Sequence, residues 1–220
     1  MGYSPRIVGI NQIQFTSELL KEETVLIFSI LKCPINTTGV AGFLDVETTG
    51  LDPFTDEIIE LAITLFLFNY ETGEILEILD EFVGLREPNK KITCSAKRIH
   101  GITNEEVRGR KLDKEHILLL ISNADFLIAH NATFDRSFMV RLFPDVGHKS
   151  WLCSMKGINW KQKGFASRSL LYLLQAHGIK CVRAHRAGND VRGAIELLSL
   201  YNNNNKTYLY ELVTGKHNEY

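Results

Sequence analysis

The chain lacks a cysteine motif, a long apolar run and an excess of positive charge. Its four cysteines form no CxxC pair, which argues against a zinc site or a disulfide framework and predicts buried free thiols in a reducing compartment. No apolar run approaches the ~18 residues that a membrane helix needs. The N-terminal region has acids ahead of its apolar stretch and no small-residue cleavage site. We therefore expect no signal peptide, no membrane segment and a cytoplasmic location.

The absence of a charge excess also limits the class of partner. The chain has 25 Lys and Arg against 26 Asp and Glu, a formal net charge of −1. This argues against a strongly basic nucleic-acid coat but leaves room for a local phosphate-binding groove. With 220 residues, 45% of them hydrophobic, the chain is long enough for one domain with a sizeable core.

Three apolar segments with turn residues between them open the ordered part of the chain. We predict strands over residues 40–47, 58–68 and 74–83, because these segments are rich in strand-forming residues and are separated by turns that contain Gly or Pro. Short connections predict an antiparallel meander. Charges spaced through the third segment predict that it forms the outer strand.

The pattern then changes to helices that alternate with short strands. Residues 125–129 form a continuous apolar run, typical of a strand buried on both faces, and residues 151–155 predict a fifth strand. Helices are predicted over residues 95–99, from Thr103, over 113–121, over 132–143 after Asn131, from Ser167 or Ser169 to Ala176, and over 190–201 after Asn189. The order predicts a mixed α/β domain over residues 40–201, with an N-terminal extension of unknown role (1–39) and a polar tail (202–220).

Two acids lie at the end of the first predicted strand. Because side chains alternate along a strand, Asp45 and Glu47 project from the same face as Phe43. Two neighbouring carboxylates in an apolar segment repel each other unless they share a proton or bind a cation. Two partly solvated acids at a hairpin end are the alternative interpretation.

Two further acids and a histidine have the same ambiguity when each is taken alone. Asp135 and Asp190 lie in the first turns of predicted helices, where an acid also simply complements the helix dipole. His185 precedes Asp190 in a non-helical segment and could be an ordinary surface residue. Together, however, four carboxylates at strand ends and helix starts suit Mg²⁺ or Mn²⁺, and a nearby histidine can move protons near neutral pH. This is the inventory of a two-metal phosphoryl-transfer site.

Three motifs that contain these residues resemble those of a known family. Phe-Leu-Asp45-Val-Glu47-Thr-Thr-Gly, His-Asn-Ala-Thr-Phe-Asp135 and His185-Arg-Ala-Gly-Asn-Asp190 are similar, in order and spacing, to the motifs of the DEDDh (DnaQ-like) 3′–5′ exonucleases. Residues 56–60 resemble the second strand of that family, and residues 99–103 its helix-loop signature. The similarity covers about residues 40–201.

The resemblance implies an RNase H-like fold with a five-stranded mixed sheet flanked by helices. It implies that two divalent metal ions, Mg²⁺ or Mn²⁺, are held by four carboxylates, with His185 as the general base in hydrolysis of the terminal phosphodiester bond. The product would be a nucleoside 5′-monophosphate. The expected metal ligands are Asp45, Glu47, Asp135 and Asp190.

The resemblance also implies contacts with the 3′ end of a single-stranded nucleic acid. The expected substrate-binding residues are Thr48 and Thr49, partly through their backbone, Leu51 as a wedge against the terminal base, and His100 nearby. The alternative interpretation of Leu51 is a simple turn residue. Basic residues of the segment 156–168 could contact phosphates farther along the strand, or they could form a solvated loop.

Several functional alternatives stay open at this point. The first hypothesis is an exonuclease on single-stranded DNA; the second is a 3′–5′ exoribonuclease that trims RNA ends or short oligoribonucleotides, since sugar discrimination depends on pocket contacts to the 2′-hydroxyl. A non-catalytic nucleic-acid-binding module on the same fold would be favoured by loss of a catalytic residue, and all five are present. A DNA polymerase or a repair complex is the expected partner.

Overall fold

We describe a computed structural model of the chain over residues 37–180, 184–202 and 204–215. The predicted extension over residues 1–39 lies almost entirely outside these ranges, as does the end of the predicted tail. The described strands and helices form one compact unit within residues 38–220.

A five-stranded mixed sheet forms the centre of this unit, in the strand order β3-β2-β1-β4-β5. β1, β2 and β3 pair antiparallel, while β4 pairs parallel with β1 and with β5. The predicted meander and outer third strand are therefore confirmed. The strands are β1 (Thr38–Thr48), β2 (Ile58–Asn69), β3 (Ile75–Leu85), β4 (Phe126–Ala129) and β5 (Ser150–Cys153).

Helices cover both faces of the sheet. One core cluster joins the sheet to α5, α6 and α7, and a second joins it to α3 and α4. The helices are α1 (Cys94–His100), α2 (Asn104–Val107), α3 (Lys114–Asn123), α4 (Ala132–Leu142), α5 (Leu170–Ala176), α6 (Ala187–Ser199) and α7 (Tyr208–Thr214), with a 3₁₀ helix over Pro144–His148.

β1 contributes side chains to both core clusters. Phe43 packs into the cluster with α6, whereas Leu44 and Val46 pack into the cluster with α4. The alternation read from the sequence is thus present, but both of its faces are covered. The end of β1, which carries the carboxylates, therefore lies between the two layers of helices that cover the sheet.

β2 is buried on both faces, and this includes the two polar residues within its apolar run. Glu60 and Thr64 are only 2% and 4% exposed. Thr64 donates its hydroxyl hydrogen to Glu81 on β3, and Glu60 binds a partner described below. Side-chain partners, rather than water, make these polar positions tolerable.

Two predicted helix caps differ from the structure in their chemistry. Asn131 does precede α4, but its side chain makes no capping hydrogen bond. α6 begins at Ala187, with Arg186 as the N-cap residue, so Asn189 lies inside the first turn and is not the cap. By contrast, Thr103 forms a complete capping box with Glu106 before α2, as the sequence predicts.

The range predicted as a polar tail contains a folded helix. In α7, Leu209 and Leu212 are fully buried in the cluster that also contains α6. Thr207 caps α7 by accepting a hydrogen bond from the Tyr210 N–H, and its hydroxyl donates to the Gly73 carbonyl in the hairpin between β2 and β3. The prediction of a tail is wrong for residues 208–214, because the asparagine run before them hid a short amphipathic helix.

Two of the cysteines fall within the described residues. Cys153 is buried and free, as predicted, whereas Cys94 is exposed at the start of α1. Among the described helices, none combines the length and apolarity needed to cross a membrane.

We predict that α7 is part of the cooperative fold. Leu209→Ala should lower the free energy of unfolding by about 2–5 kcal/mol, because a fully buried leucine leaves a cavity when it is truncated. Urea titration followed by circular dichroism measures this change. Leu119→Ala is the matched control, since Leu119 is 47% exposed on α3, and it should shift stability by no more than ~0.5 kcal/mol. Equal effects of the two substitutions would show that α7 unfolds independently.

Candidate active site

Four carboxylates from three elements meet in one cleft of about 570 Å³. Asp45 and Glu47 come from the end of β1. Because β4 runs parallel to β1, α4 starts at the same edge of the sheet, and its first turn brings Asp135 to that edge. Asp190 comes from the first turn of α6, on the other side of the sheet. His185 also lines the cleft, so all five predicted catalytic residues are brought together.

Backbone amides hold two of the carboxylates in place. The Val46 N–H donates to Asp135 Oδ1 over 3.2 Å, which ties the start of α4 to β1. The His185 N–H donates to Asp190 Oδ2 over 3.0 Å. Each bond leaves one carboxylate oxygen of the residue available for another ligand. These two carboxylates are therefore held by backbone N–H groups and not by long, flexible side chains.

Burial raises the pKa of every acid in the cleft, and repulsion by neighbouring carboxylates adds to the shift for Asp45 and Glu47. Burial first, and then the neighbouring carboxylates, raise the pKa of Asp45 well above its usual range. The same two causes raise the pKa of Glu47 to about 8. Burial raises the pKa of Asp135 to about 7 and that of Asp190 to about 6. At neutral pH, part of this cluster therefore holds protons unless a cation replaces them.

The donor set of the cleft fits hard divalent cations. Glu47, His185 and Asp190 each offer one ligand atom, and these atoms lie within 4.8 Å of one another. Asp45 and Asp135 line the same cleft. Carboxylate oxygens are the ligands that Mg²⁺ and Mn²⁺ prefer. A cation would also remove the repulsion that raises the pKa values.

His185 lies in a strained loop just before α6. Its φ is 59°, a left-handed conformation that residues other than glycine rarely adopt. The side chain is exposed at the cleft, while the backbone N–H is held by Asp190. Such backbone strain persists only where surrounding contacts enforce it. The loop therefore orients the imidazole toward the carboxylates.

A buried ion pair, which the sequence analysis missed, enforces this conformation. Glu60 pairs across the sheet with Glu47, and its carboxylate accepts hydrogen bonds from Arg186 Nε and Nη2 over 2.6–3.0 Å. It also accepts one from the Ala187 N–H, over 2.9 Å. Glu60 thus binds both the N-cap residue and the first residue of α6. A charged residue inside the apolar segment 58–68 was the available signal.

The predicted substrate contacts divide into two groups. Thr48, Leu51 and His100 line the cleft, and Leu51 is 80% exposed in the turn after β1. Thr49 is fully buried and does not line the cleft. Its hydroxyl donates to Asp56 Oδ1 and accepts from the Glu57 N–H, each over 3.0 Å. The Thr49 side chain therefore fixes the turn, and only Thr48, Leu51 and His100 present side chains to the cleft.

His100 is held as a neutral hydrogen-bond donor. Its Nδ1 accepts a hydrogen bond from the Ile102 N–H over 2.9 Å. Burial lowers the pKa of this imidazole, so the proton of the neutral ring lies on Nε2. That nitrogen is buried, and the Thr48 backbone, which tends to raise the pKa of the imidazole, partly offsets the effect of burial.

The basic segment after β5 is only partly available for phosphates. Lys163 forms an ion pair with Glu211 over 2.6 Å and lies over the Tyr208 ring. It therefore anchors α7, which the sequence analysis did not foresee. Lys156 contacts the Thr133 hydroxyl over 3.4 Å.

Comparison with known proteins agrees with this geometry. A family model described as exonuclease (RNase_T) matches residues 43–198. The PolC-type DNA polymerase III of Thermotoga maritima is 31% identical over 173 residues, which is 71% of this chain and 12% of that protein. The Thermotoga petrophila counterpart is 30% identical over 68% of this chain and 11% of its own length. The chain thus corresponds to about one eighth of these relatives.

Solved structures share the RNase H-like fold. Escherichia coli exonuclease I in complex with a dT13 oligonucleotide superposes with a TM-score of 0.58 at 21% identity, over 73% of this chain and 40% of that one. Exonuclease X in complex with duplex DNA with a 5′ overhang gives a TM-score of 0.53 at 22% identity, over 77% of this chain and 99% of that one. The family model over residues 43–198, together with the Thermotoga relatives, confirms the resemblance that the three motifs indicate, and the chain belongs to the exonuclease family.

Proposed function

We propose that the chain is a metal-dependent 3′–5′ exonuclease that hydrolyses the terminal phosphodiester bond of single-stranded DNA and releases nucleoside 5′-monophosphates. The observation that carries the proposal is the convergence of four carboxylates and His185 in one cleft. The choice of DNA is supported by the relatives, which are named DNA polymerases, and by the neighbours solved with DNA.

Two divalent ions, Mg²⁺ or Mn²⁺, would be held by the four carboxylates. When bound, the ions supply a more acidic water and neutralise charge on the attacking and leaving oxygens. The residues in question are Asp45, Glu47, Asp135 and Asp190. Their raised pKa values make them ligands that lose protons as the ions bind, and backbone hydrogen bonds fix two of them, Asp135 and Asp190.

His185 accepts the proton of the attacking water. The imidazole is exposed at the cleft, and a ligand atom of its ring lies within 4.8 Å of carboxylate oxygens of Glu47 and Asp190. Near neutral pH an imidazole can accept a proton and pass it to solvent. The hydrogen bond to Asp190 and the ion pair of Arg186 with Glu60 hold the loop in place while it does so.

The remaining walls of the cleft select a chain end. Leu51, which is exposed in the cleft, packs against the terminal base, and the Nε2–H of His100, which lines the same cleft, donates to the terminal nucleotide. The Thr48 backbone lies next to the acids and approaches the terminal sugar. A cleft that admits one nucleotide past Leu51 favours cleavage from an end over internal cuts.

The relatives also support a partner. Because they are polymerases in which the matching segment is about one eighth of the length, we include association with a DNA polymerase or a repair complex in the proposal. A cytoplasmic location stays a prediction.

We predict that the protein shortens 5′-labelled single-stranded DNA one nucleotide at a time from its 3′ end in Mg²⁺ or Mn²⁺, and that EDTA stops the reaction. Denaturing gels resolve the ladder, and chromatography identifies the 5′-monophosphates. Parallel incubations with RNA of the same sequence measure the sugar preference. Products from internal cuts, or activity that survives thorough chelation, would contradict the proposal; faster degradation of RNA would reassign the substrate alone.

We predict that stabilisation by Mn²⁺ increases with pH. Folded-state pKa values of about 6, 7 and 8 for Asp190, Asp135 and Glu47 exceed the ~4 of unfolded carboxyls. Without metal, the folded protein therefore binds more protons than the unfolded chain above pH ~4, and its free energy of unfolding falls as pH rises toward ~8. Mn²⁺ replaces those protons, so it should raise Tm more at pH ~8 than at pH ~5.5.

Scanning calorimetry with and without Mn²⁺ measures this difference. Asp45→Asn is the control, because it removes one ligand while keeping the shape of the side chain. Its Mn²⁺-induced rise in Tm at pH ~8 should be much smaller than that of the parent protein. Equal rises at both pH values, or an unchanged rise in the variant, would argue against metal binding by these carboxylates.

We predict that His185→Gln lowers kcat by ~10²–10⁴-fold, the usual loss when a general base is removed. Metal affinity and KM should stay close to those of the parent, because the backbone N–H that binds Asp190 is retained. Asp190→Asn should instead weaken both metal binding and turnover. Single-turnover kinetics with a Mn²⁺ titration measure the two effects. Full recovery of His185→Gln at high metal concentration would make His185 a metal ligand rather than the base.

A further inference from the structure

A second cavity, of about 510 Å³, lies along the outer side of α4. Its walls are the turn after β1, which contributes Phe54, and the part of α4 that carries Arg136 and Arg141. We refer to these three residues and the space between them as the α4 groove. The same turn carries Leu51 and the same helix carries Phe134, and both of these residues line the active-site cleft. The groove and the cleft therefore share two structural elements.

Phe54 is 79% exposed, although large aromatic side chains are usually buried. The turn that presents it is well fixed, because Asp52 accepts hydrogen bonds from the Phe54 N–H over 2.9 Å and the Thr55 hydroxyl over 3.1 Å. The Arg141 guanidinium carbon lies 5.6 Å from the centre of the ring. An aromatic ring fixed in solvent beside a guanidinium is a suitable surface for stacking a nucleic-acid base.

The charge of the groove complements a phosphate backbone. Arg136 is held by the Gly147 carbonyl, 3.1 Å from its Nη2. Neither Arg136 nor Arg141 forms an ion pair with any acid in the described part of the chain, and no acid lines the groove. Guanidinium groups without an acidic partner are the preferred protein ligands of phosphate. In a chain with a formal net charge of −1, such a pair beside an acidic cleft is a distinct local feature.

We propose that the α4 groove binds the single strand upstream of its terminal nucleotide, with one base against Phe54 and backbone phosphates at Arg141 and Arg136. This inference rests on the proposed function, because it assigns the path of the same substrate. Leu51, three residues before Phe54, would then separate the terminal base in the cleft from the base that stacks on Phe54. Contacts in the groove would supply affinity for the strand without touching the reacting bond.

The test compares a substrate that reaches only the cleft with one that also reaches the groove. The first is the p-nitrophenyl ester of thymidine 5′-monophosphate, and the second is a 5′-fluorescein oligo-dT of about 20 nucleotides. Phe54→Ala and Arg141→Gln should hydrolyse the ester at the parent rate. Their KM for the oligonucleotide should rise roughly tenfold or more, the effect expected from loss of one stacking or phosphate contact.

Salt dependence separates the roles of the two residues. Arg141→Gln should reduce the slope of log Kd against log salt concentration by about 0.7, because one phosphate contact is lost. Phe54→Ala should weaken binding without changing that slope. The matched control is Arg110→Gln, since Arg110 is exposed and lines neither cavity, and it should leave both Kd and slope at parent values.

Binding is measured by fluorescence anisotropy in the His185→Gln background, so that degradation does not interfere. This separates failure of the inference from failure of the proposed function. If the parent degrades DNA but Phe54→Ala and Arg141→Gln bind the oligonucleotide as tightly as the background protein, the groove assignment is overturned and the exonuclease proposal stands. If the parent hydrolyses neither substrate while both variants lose binding, the groove assignment stands and the exonuclease proposal is overturned.

Discussion

The structure depends on keeping several like-charged carboxylates together at one end of a buried sheet. Their proximity is unfavourable in the absence of a cation, and together with burial it raises the pKa values of Asp45 and Glu47. Hydrogen bonds from backbone amides and one buried ion pair hold the acids there in spite of this repulsion. β1 is the central strand and is covered by helices on both faces. Its two acids, Asp45 and Glu47, are therefore fixed next to each other.

The Glu60–Arg186 pair extends this constraint from the sheet to the start of α6. A buried ion pair often contributes little to stability compared with apolar residues of the same size, so its value here is geometric. Glu60 binds the Arg186 guanidinium and the Ala187 N–H together. It thereby sets where α6 begins, and with that the left-handed conformation of His185 and the direction of Asp190. The general base and one metal ligand of the proposed mechanism thus depend on a buried residue that does not line the cleft.

Much of the fold and the five catalytic candidates could be predicted, because they follow from local chemistry. Alternation along residues 43–47, the continuous apolar run at 125–129 and acids in first helical turns are all visible within short windows. The features that were missed depend on tertiary contacts. Glu60 is one charge in an apolar strand until Arg186 is placed beside it, and α7 is recognisable only once Leu209 has a core to pack into. Thr49 was assigned by its position in a motif, whereas its hydrogen bonds hold it in the turn.

Net charge was also a poor guide to where a polyanion could bind. The formal charge of −1 is the sum of an acidic cleft and of basic groups elsewhere. The lysines of the segment 156–168 looked available for phosphates by composition, but Lys163 is already paired with Glu211. What distinguishes Arg136 and Arg141 is that they line one cavity together with the exposed Phe54, and that no acid lines it, which no count of charges reveals. Repulsion between the catalytic acids and phosphate is strongest before cations bind. Affinity supplied from outside the cleft would therefore hold the strand while the metal-loaded cleft receives its end, so that binding and chemistry can be adjusted by different residues.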